Sequence, residues 1–162
     1  MDIEFIDGLK TTLYKKHISL KGNMVSFGGY LLPTYYTSIN HEHQLVRSKA
    51  GLFDVSHMGE FIVSGFDAEF FLQKVTTNDI SNLRVGQAQY NAMCYEDGGI
   101  VDDLIIYKFE GKYMLVVNSS NIEKDMEWLK KNKFGDIEIS DISGDLGLLA
   151  LQGPNSKNIL QL

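Results

Sequence analysis

Alternation of apolar and polar positions is densest between residues 87 and 118. Three apolar-rich runs are divided there by two turn signals, Glu96-Asp97-Gly98-Gly99 and Glu110-Gly111. That is the pattern of a three-stranded antiparallel meander. Upstream, residues 38–50 carry a helical pattern. Ser38 suits the N-cap, Leu45 and Val46 supply apolar positions, and Gly51 suits the C-terminal stop. A strand is read around Gly59–Val63, then a helix from near Asp67 with Phe70, Phe71 and Val75 as its apolar positions. Downstream, Ser120 with Glu123 reads as a capping box, and Ile122, Met126 and Leu129 line one helical face. Residues 9–20 predict one or two helical turns. Residues 24–36, punctuated by Gly28-Gly29 and Pro33, predict short strands with turns. Two further strands are expected near 136–141 and 146–152. The order strand, helix, meander, helix, strand puts the chain in the α+β class. No internal repeat, low-complexity stretch or linker interrupts it.

The middle run, GGIVDDLIIYKF, places Asp102 and Asp103 inside an otherwise apolar strand. Strand interiors disfavour Asp, and burying a carboxylate without partners is costly. The turns allow the register to be counted. A two-residue Asp97-Gly98 loop, or a four-residue Glu96–Gly99 loop, sets Ala92 opposite Asp103; a three-residue loop breaks that register. Tyr90 is then the diagonal neighbour of Asp103, roughly 7–8 Å away at the backbone. Counting out from Glu110-Gly111 sets Asp103 opposite Asn118. Tyr90, Asp103 and Asn118 therefore share a face, above an apolar platform of Val101, Ile105, Met114 and Val116. Asp102 points to the other face, since side chains alternate along a strand, and has no assigned partner. An apolar platform with a few convergent polar groups is the usual make-up of a small-molecule site. The same groups could instead simply hydrogen-bond one another inside a core.

Composition narrows the class further. Of 162 residues, 44% are hydrophobic and 22% charged, as in an ordinary globular domain. The net charge of −6 argues against a general nucleic-acid or anionic-membrane binder. Lys130, Lys131 and Lys133 read as a solvated helix end. The lone Cys94 has no partner for a disulfide or a CxxC metal pair and reads as a small core residue. The N-terminus, MDIEFIDGLKTT, has no secretory h-region and no Arg-rich transit character. No apolar stretch approaches a membrane span. A cytoplasmic location is expected.

Other candidates are weaker. His41 and His43 lie two apart on a predicted helix and point away from each other, which disfavours a shared metal ion. Ser56-His57 has no nucleophile elbow around it, and neighbours on a strand face apart. Gly28-Gly29 and Gly98-Gly99 match no phosphate-binding pattern.

Longer strings carry a resemblance. HEHQLVRSKAGLFDVSHMGEFIVSG, then TTNDI, GQAQYNAMCYEDGGIVDDLIIYK, LVVNSSNIEKDMEWL and LLALQGPNS together resemble the aminomethyltransferases of the glycine cleavage system, the T-protein family. LYKKHISLKGNMVSFGGYLLPTYY resembles that family's opening. The resemblance spans nearly all of residues 9–162 and looks like the N-terminal portion of a longer protein, with a subdomain break expected near 53–60. It implies an antiparallel-sheet folate-binding module with flanking helices, part of a three-domain ring around a folate channel. It implies transfer of a one-carbon unit from the aminomethyl-dihydrolipoyl carrier, the H-protein, to tetrahydrofolate, with release of ammonia. Carried over by motif, Asp103 of GGIVDDL is the catalytic carboxylate. Tyr90 of QAQY, Asn118 of LVVNSS and Met58 of VSHMG are the folate contacts. No metal is implied.

Two positions depart from the family pattern. Thr12 stands where Pro is frequent, and Lys21 where Gly is frequent. The family's later folate contacts fall beyond residue 162, so this chain alone is expected to turn over poorly. Rival readings are the folate-binding part of a dimethylglycine or sarcosine oxidase, a folate-binding accessory protein of the same fold in iron–sulfur assembly, and an inactive fragment.

Overall fold

The computed structural model describes residues 7–161; residues 1–6, the start of the N-terminal stretch read above as lacking leader character, and Leu162 lie outside the described residues. In chain order the elements are β1 (Leu9–Lys10), α1 (Tyr14–Ser19), β2 (Met24–Phe27), β3 (Tyr30–Pro33), α2 (Ile39–Ser48), β4 (Gly51–Asp54), β5 (Gly59–Ser64) and α3 (Ala68–Val75). They continue with β6 (Ala88–Cys94), β7 (Ile100–Phe109), β8 (Lys112–Val117), α4 (Ile122–Lys131), β9 (Glu138–Asp141), β10 (Leu149–Gln152) and α5 (Ser156–Leu160). The mixture is α+β with antiparallel sheets, apart from the short β1, which runs parallel to β3. Two compact units result among the described residues: Met58–Leu146, and a unit formed by residues 7–57 together with 147–161.

The continuous unit is a five-stranded sheet in the order β6-β7-β8-β5-β9. The predicted meander forms its first three strands, and β5 returns antiparallel beside β8. One face of the sheet is apolar because alternate residues point the same way. Phe61, Val63, Leu104, Ile106, Leu115 and Val117 lie there, all nearly or fully enclosed. Phe71 and Leu72 of α3 and Met126 and Leu129 of α4 complete that core. The helix near Asp67 starts as expected, but the Asp67 side chain makes no cap; its Oδ2 accepts from Asp136 N–H at 2.8 Å. The Ser120–Glu123 capping box does not form. Residues 119–121 make a 3-10 turn, and α4 opens only at Ile122, after Asn121.

In the discontinuous unit, β4 pairs with β10, with Phe53 opposite Ala150. Ser38 caps α2, its hydroxyl accepting from His41 N–H at 3.5 Å. Glu42 folds back so that Oε1 accepts from the N–H groups of Tyr36, Thr37 and Ser38. The helix stops at Lys49 rather than at Gly51, which begins β4. Gly153 holds the return from β10. Its φ is +118°, and a Cβ there would meet the carbonyl oxygens of Lys49 and Val46 at 2.7 Å.

Candidate functional site

The β6–β7 hairpin sets the site. Its loop is neither of the two lengths that the register count assumed. Tyr95 N–H donates to Gly99 O at 2.7 Å and Gly98 N–H to Tyr95 O at 3.0 Å, a loop of three residues. Alone it would slip the strands by one. A bulge between Met93 and Cys94 restores the register: Cys94 pairs with Ile100, Met93 with Asp102, and Ala92 with Asp103. A bulge puts an extra residue into one strand and re-aims the side chains beside it. Here that residue is Val101, which is buried in the core rather than joining the platform under Asp103. Cys94, beside the bulge, is half-buried and outside that core.

The β7–β8 turn is the two-residue Glu110-Gly111, with Phe109 opposite Lys112 and Leu104 opposite Val117. One step further sets Asp103 beside Asn118. On the next strand Gly59 pairs with Val117, which brings Met58 to the same end of the sheet. Tyr90 Oη donates to Asp103 Oδ2 at 2.9 Å. Asn118 Nδ2 donates to Asp103 Oδ1 at 3.2 Å and to the Asp103 carbonyl at 3.2 Å. Both Asp103 oxygens thus accept a neutral donor, and the carboxylate itself faces outward, as does Tyr90 at 66% exposure. The hydrogen bond to Asp103 raises the Tyr90 phenol, which keeps it a donor. Ile105 and Met114 line the same face. A fixed anion on an apolar, accessible floor can attract a cationic centre or accept a proton.

Asp102 points the other way, as alternation requires, but it is not alone. It is buried, and its Oδ1 accepts from the same Asn118 Nδ2 at 3.0 Å. One amide therefore ties the two adjacent carboxylates together. Behind Asp102 stand two residues that the sequence reading did not single out. Lys124 Nζ donates to the Val101 carbonyl at 2.6 Å. Asp125 is fully enclosed and within hydrogen-bonding reach of Asp102. Its signal was present: Ile122, Asp125, Met126 and Leu129 follow the spacing of a single helix face, so an acid sits within an apolar stripe.

The remaining candidates are placed elsewhere. His41 and His43 are both exposed on α2. Ser56 Oγ bonds the Leu148 backbone, not His57. The His57 ring packs edge-on to Phe27 and Tyr30, and burial lowers its basicity. In the same unit His17 bridges Asp54 Oδ2 (2.8 Å) and Tyr36 Oη (2.7 Å), on the wall of a cavity of about 570 Å³. Among the described residues no cluster of His, Cys, Asp and Glu has the make-up of a metal site. No helix among them is long and apolar enough to cross a membrane.

Known proteins resemble this chain in sequence and in fold. The family model described as the GCVT N-terminal domain matches residues 13–162. The aminomethyltransferases of Geobacillus sp. (strain WCH70) and Bacillus cytotoxicus are 54% and 53% identical over 153 residues, 94% of this chain. The chain spans 42% of the length of those relatives. The crystal structure of glycine cleavage system aminomethyltransferase T from Bartonella henselae superposes with a TM-score of 0.87 at 35% identity, over 94% of this chain and 43% of that one. The chain belongs to the glycine-cleavage aminomethyltransferase (T-protein) family and corresponds to its N-terminal part.

Proposed function

We propose that the chain forms the part of a tetrahydrofolate-dependent aminomethyltransferase that carries the reacting carboxylate. The donor is the aminomethyl group on the dihydrolipoyl arm of the carrier H-protein, and the acceptor is tetrahydrofolate. Methylenetetrahydrofolate, ammonia and the dihydrolipoyl carrier are the products. The observation that carries this reading is the Asp103 carboxylate, held at both oxygens by Tyr90 and Asn118 on an exposed sheet face.

The role follows from charge. N5 and N10 of tetrahydrofolate close a ring around the transferred carbon, which develops iminium character as ammonia departs. A carboxylate held in place stabilises that positive charge without reorganising during the reaction. It also orients the N10 hydrogen and, in reach of it, accepts the proton. Asp suits the position because it is short, anionic and set on a rigid strand. Tyr90, Asn118 and Met58 are assigned to the folate side of the centre.

Isothermal titration of this chain with tetrahydrofolate tests the binding half of the proposal. Heat of binding is expected for the wild type, with a loss of about fivefold or more in affinity for Tyr90→Phe or Asn118→Ala, as when a hydrogen-bond partner is removed from a site. Equal affinity in all three proteins would remove Tyr90 and Asn118 from the site.

A further inference from the structure

Asp125 presents a problem of charge. It lies in the first turn of α4, is 0% exposed, and neither of its carboxyl oxygens meets a donor. An ionised carboxylate in that position, beside the second carboxylate of Asp102, would be buried, unsolvated and repelled. The neutral acid reverses the requirement: it carries a proton and needs an acceptor. Asp102 supplies one. Its Oδ1 already accepts from Asn118, while its Oδ2 is buried and also meets no donor. A single proton between the two carboxyl groups joins one Asp125 oxygen to Asp102 Oδ2 and leaves one Asp125 oxygen, uncharged in the neutral acid, without a partner.

We propose that Asp125 is a positioning residue for the Asp103 centre: its protonated carboxyl donates to Asp102, Asp102 holds the Asn118 amide, and that amide fixes the Asp103 carboxylate against Tyr90. The electrostatics run the same way. Burial, then the contact with Asp102, pushes the Asp125 carboxyl well above the ordinary range; Lys124 opposes this and Asp103 reinforces it. Burial alone would raise Asp102 as well, but its contacts with Asp125, Asn118 and Asn121 and with the Asp103 backbone outweigh burial and hold it low. Lys124 adds a second clamp from the same helical turn, through the carbonyl of the bulged Val101. The first turn of α4 thus grips the strand at two successive residues, immediately before Asp103. The functional consequence rests on the reading of Asp103 as the reacting carboxylate; the geometry does not.

Carboxyl-carbon and side-chain amide NMR on this chain tests the arrangement. The Asp125 carboxyl is expected to stay protonated at about pH 6, where exposed carboxyls have ionised. Asp125→Asn, whose amide can donate to Asp102 in the same way, should leave the Asn118 side-chain resonances in place. Asp125→Leu, of similar size but without a donor, should move them. If Asp125→Leu does not fold, Asp102→Asn decides: with the neighbouring charge removed, the Asp125 titration should move down. Ordinary titration of Asp125 in the wild type, or Asn118 resonances unmoved in Asp125→Leu, would overturn the proposal. In a full-length aminomethyltransferase containing this sequence, Asp125→Leu is expected to lower kcat about tenfold with KM within about twofold, and Asp125→Asn to stay within about threefold. Normal turnover of Asp103→Asn would remove only the functional consequence and leave the NMR result standing.

Discussion

Buried carboxyl groups in this chain fall into two kinds, distinguished by their donors. Asp54 accepts hydrogen bonds from Thr11, His17 and Ser56. Burial alone would raise its carboxyl, but the bonds from Ser56, His17 and Thr11 outweigh it and bring it down to about 2. Glu60 is 1% exposed with neither oxygen bonded, so burial, reinforced by Asp141, lifts it to about 7. The signs are opposite. Asp54 holds fewer protons folded than unfolded, so its stabilisation is complete above its ordinary range and is lost as pH falls toward 2. Glu60 holds more protons folded, so it costs stability progressively as pH rises from about 4.5 toward 7. Glu60→Gln should therefore stabilise the chain at pH 8 by about 3 kcal/mol at most, with little change at pH 4. Asp54→Asn should flatten the acid limb of the same curve. Urea unfolding at stepped pH reads both. Pattern located Tyr90, Asp103 and Asn118 together because alternation holds on the far side of the bulge, where Ala92 pairs with Asp103. It could not assign Asp102 a partner, because Asp125 comes from a helix about twenty residues away in sequence.

The outcome at the element scale depends on two irregularities. The β6–β7 loop is one residue shorter than the four-residue alternative and one longer than the two-residue one, and the bulge at Val101 cancels the slip. The register count therefore gave the right pairing for Ala92 and Asp103 but put Val101 on the wrong face. A bulge leaves no mark in an apolar run, since Val suits either side of the sheet. The missing capping box has a similar origin: Asn118 sits between both carboxylates, and a 3-10 turn intervenes before α4. Packing fixes where that helix starts. A Cβ on Gly59 would come within 2.6 Å of Ile122 Cγ1 and 2.8 Å of Val117 Cγ2, so Gly59→Ala should displace the first turn of α4. The measurable result is a shift of the Asn118 side-chain amide together with lower thermal stability. Leu129→Ala, which empties a fully enclosed position of the same helix, should cost roughly 2–5 kcal/mol in denaturant unfolding and leave the turns of the meander unchanged.

For the whole molecule, chain continuity and core make a prediction about folding. Met58–Leu146 is unbroken in sequence and has its own sheet, its own core and two helices covering one face. Expressed alone, it should give a cooperative unfolding transition and protected amides in β7 and β8, observable by hydrogen exchange. The other unit is assembled from two separate segments joined through the β4–β10 pair, so neither segment should fold alone. The α+β class and the meander were legible from period and turn residues. The pairing of β4 with β10, and of β5 between β8 and β9, was not, because non-local strand partners are chosen by packing rather than by local pattern. The family was legible from long strings such as GLFDVSHMGE and GGIVDDL, and this assignment fixes where the chemistry must be examined. The most direct measurement is steady-state turnover, with the lipoyl carrier and tetrahydrofolate, of a full-length aminomethyltransferase containing this sequence. Asp103→Asn should lower kcat at least about tenfold with the fold intact, as expected for loss of a preorganised charge; turnover within about twofold of wild type would contradict the assignment of Asp103 as the reacting carboxylate.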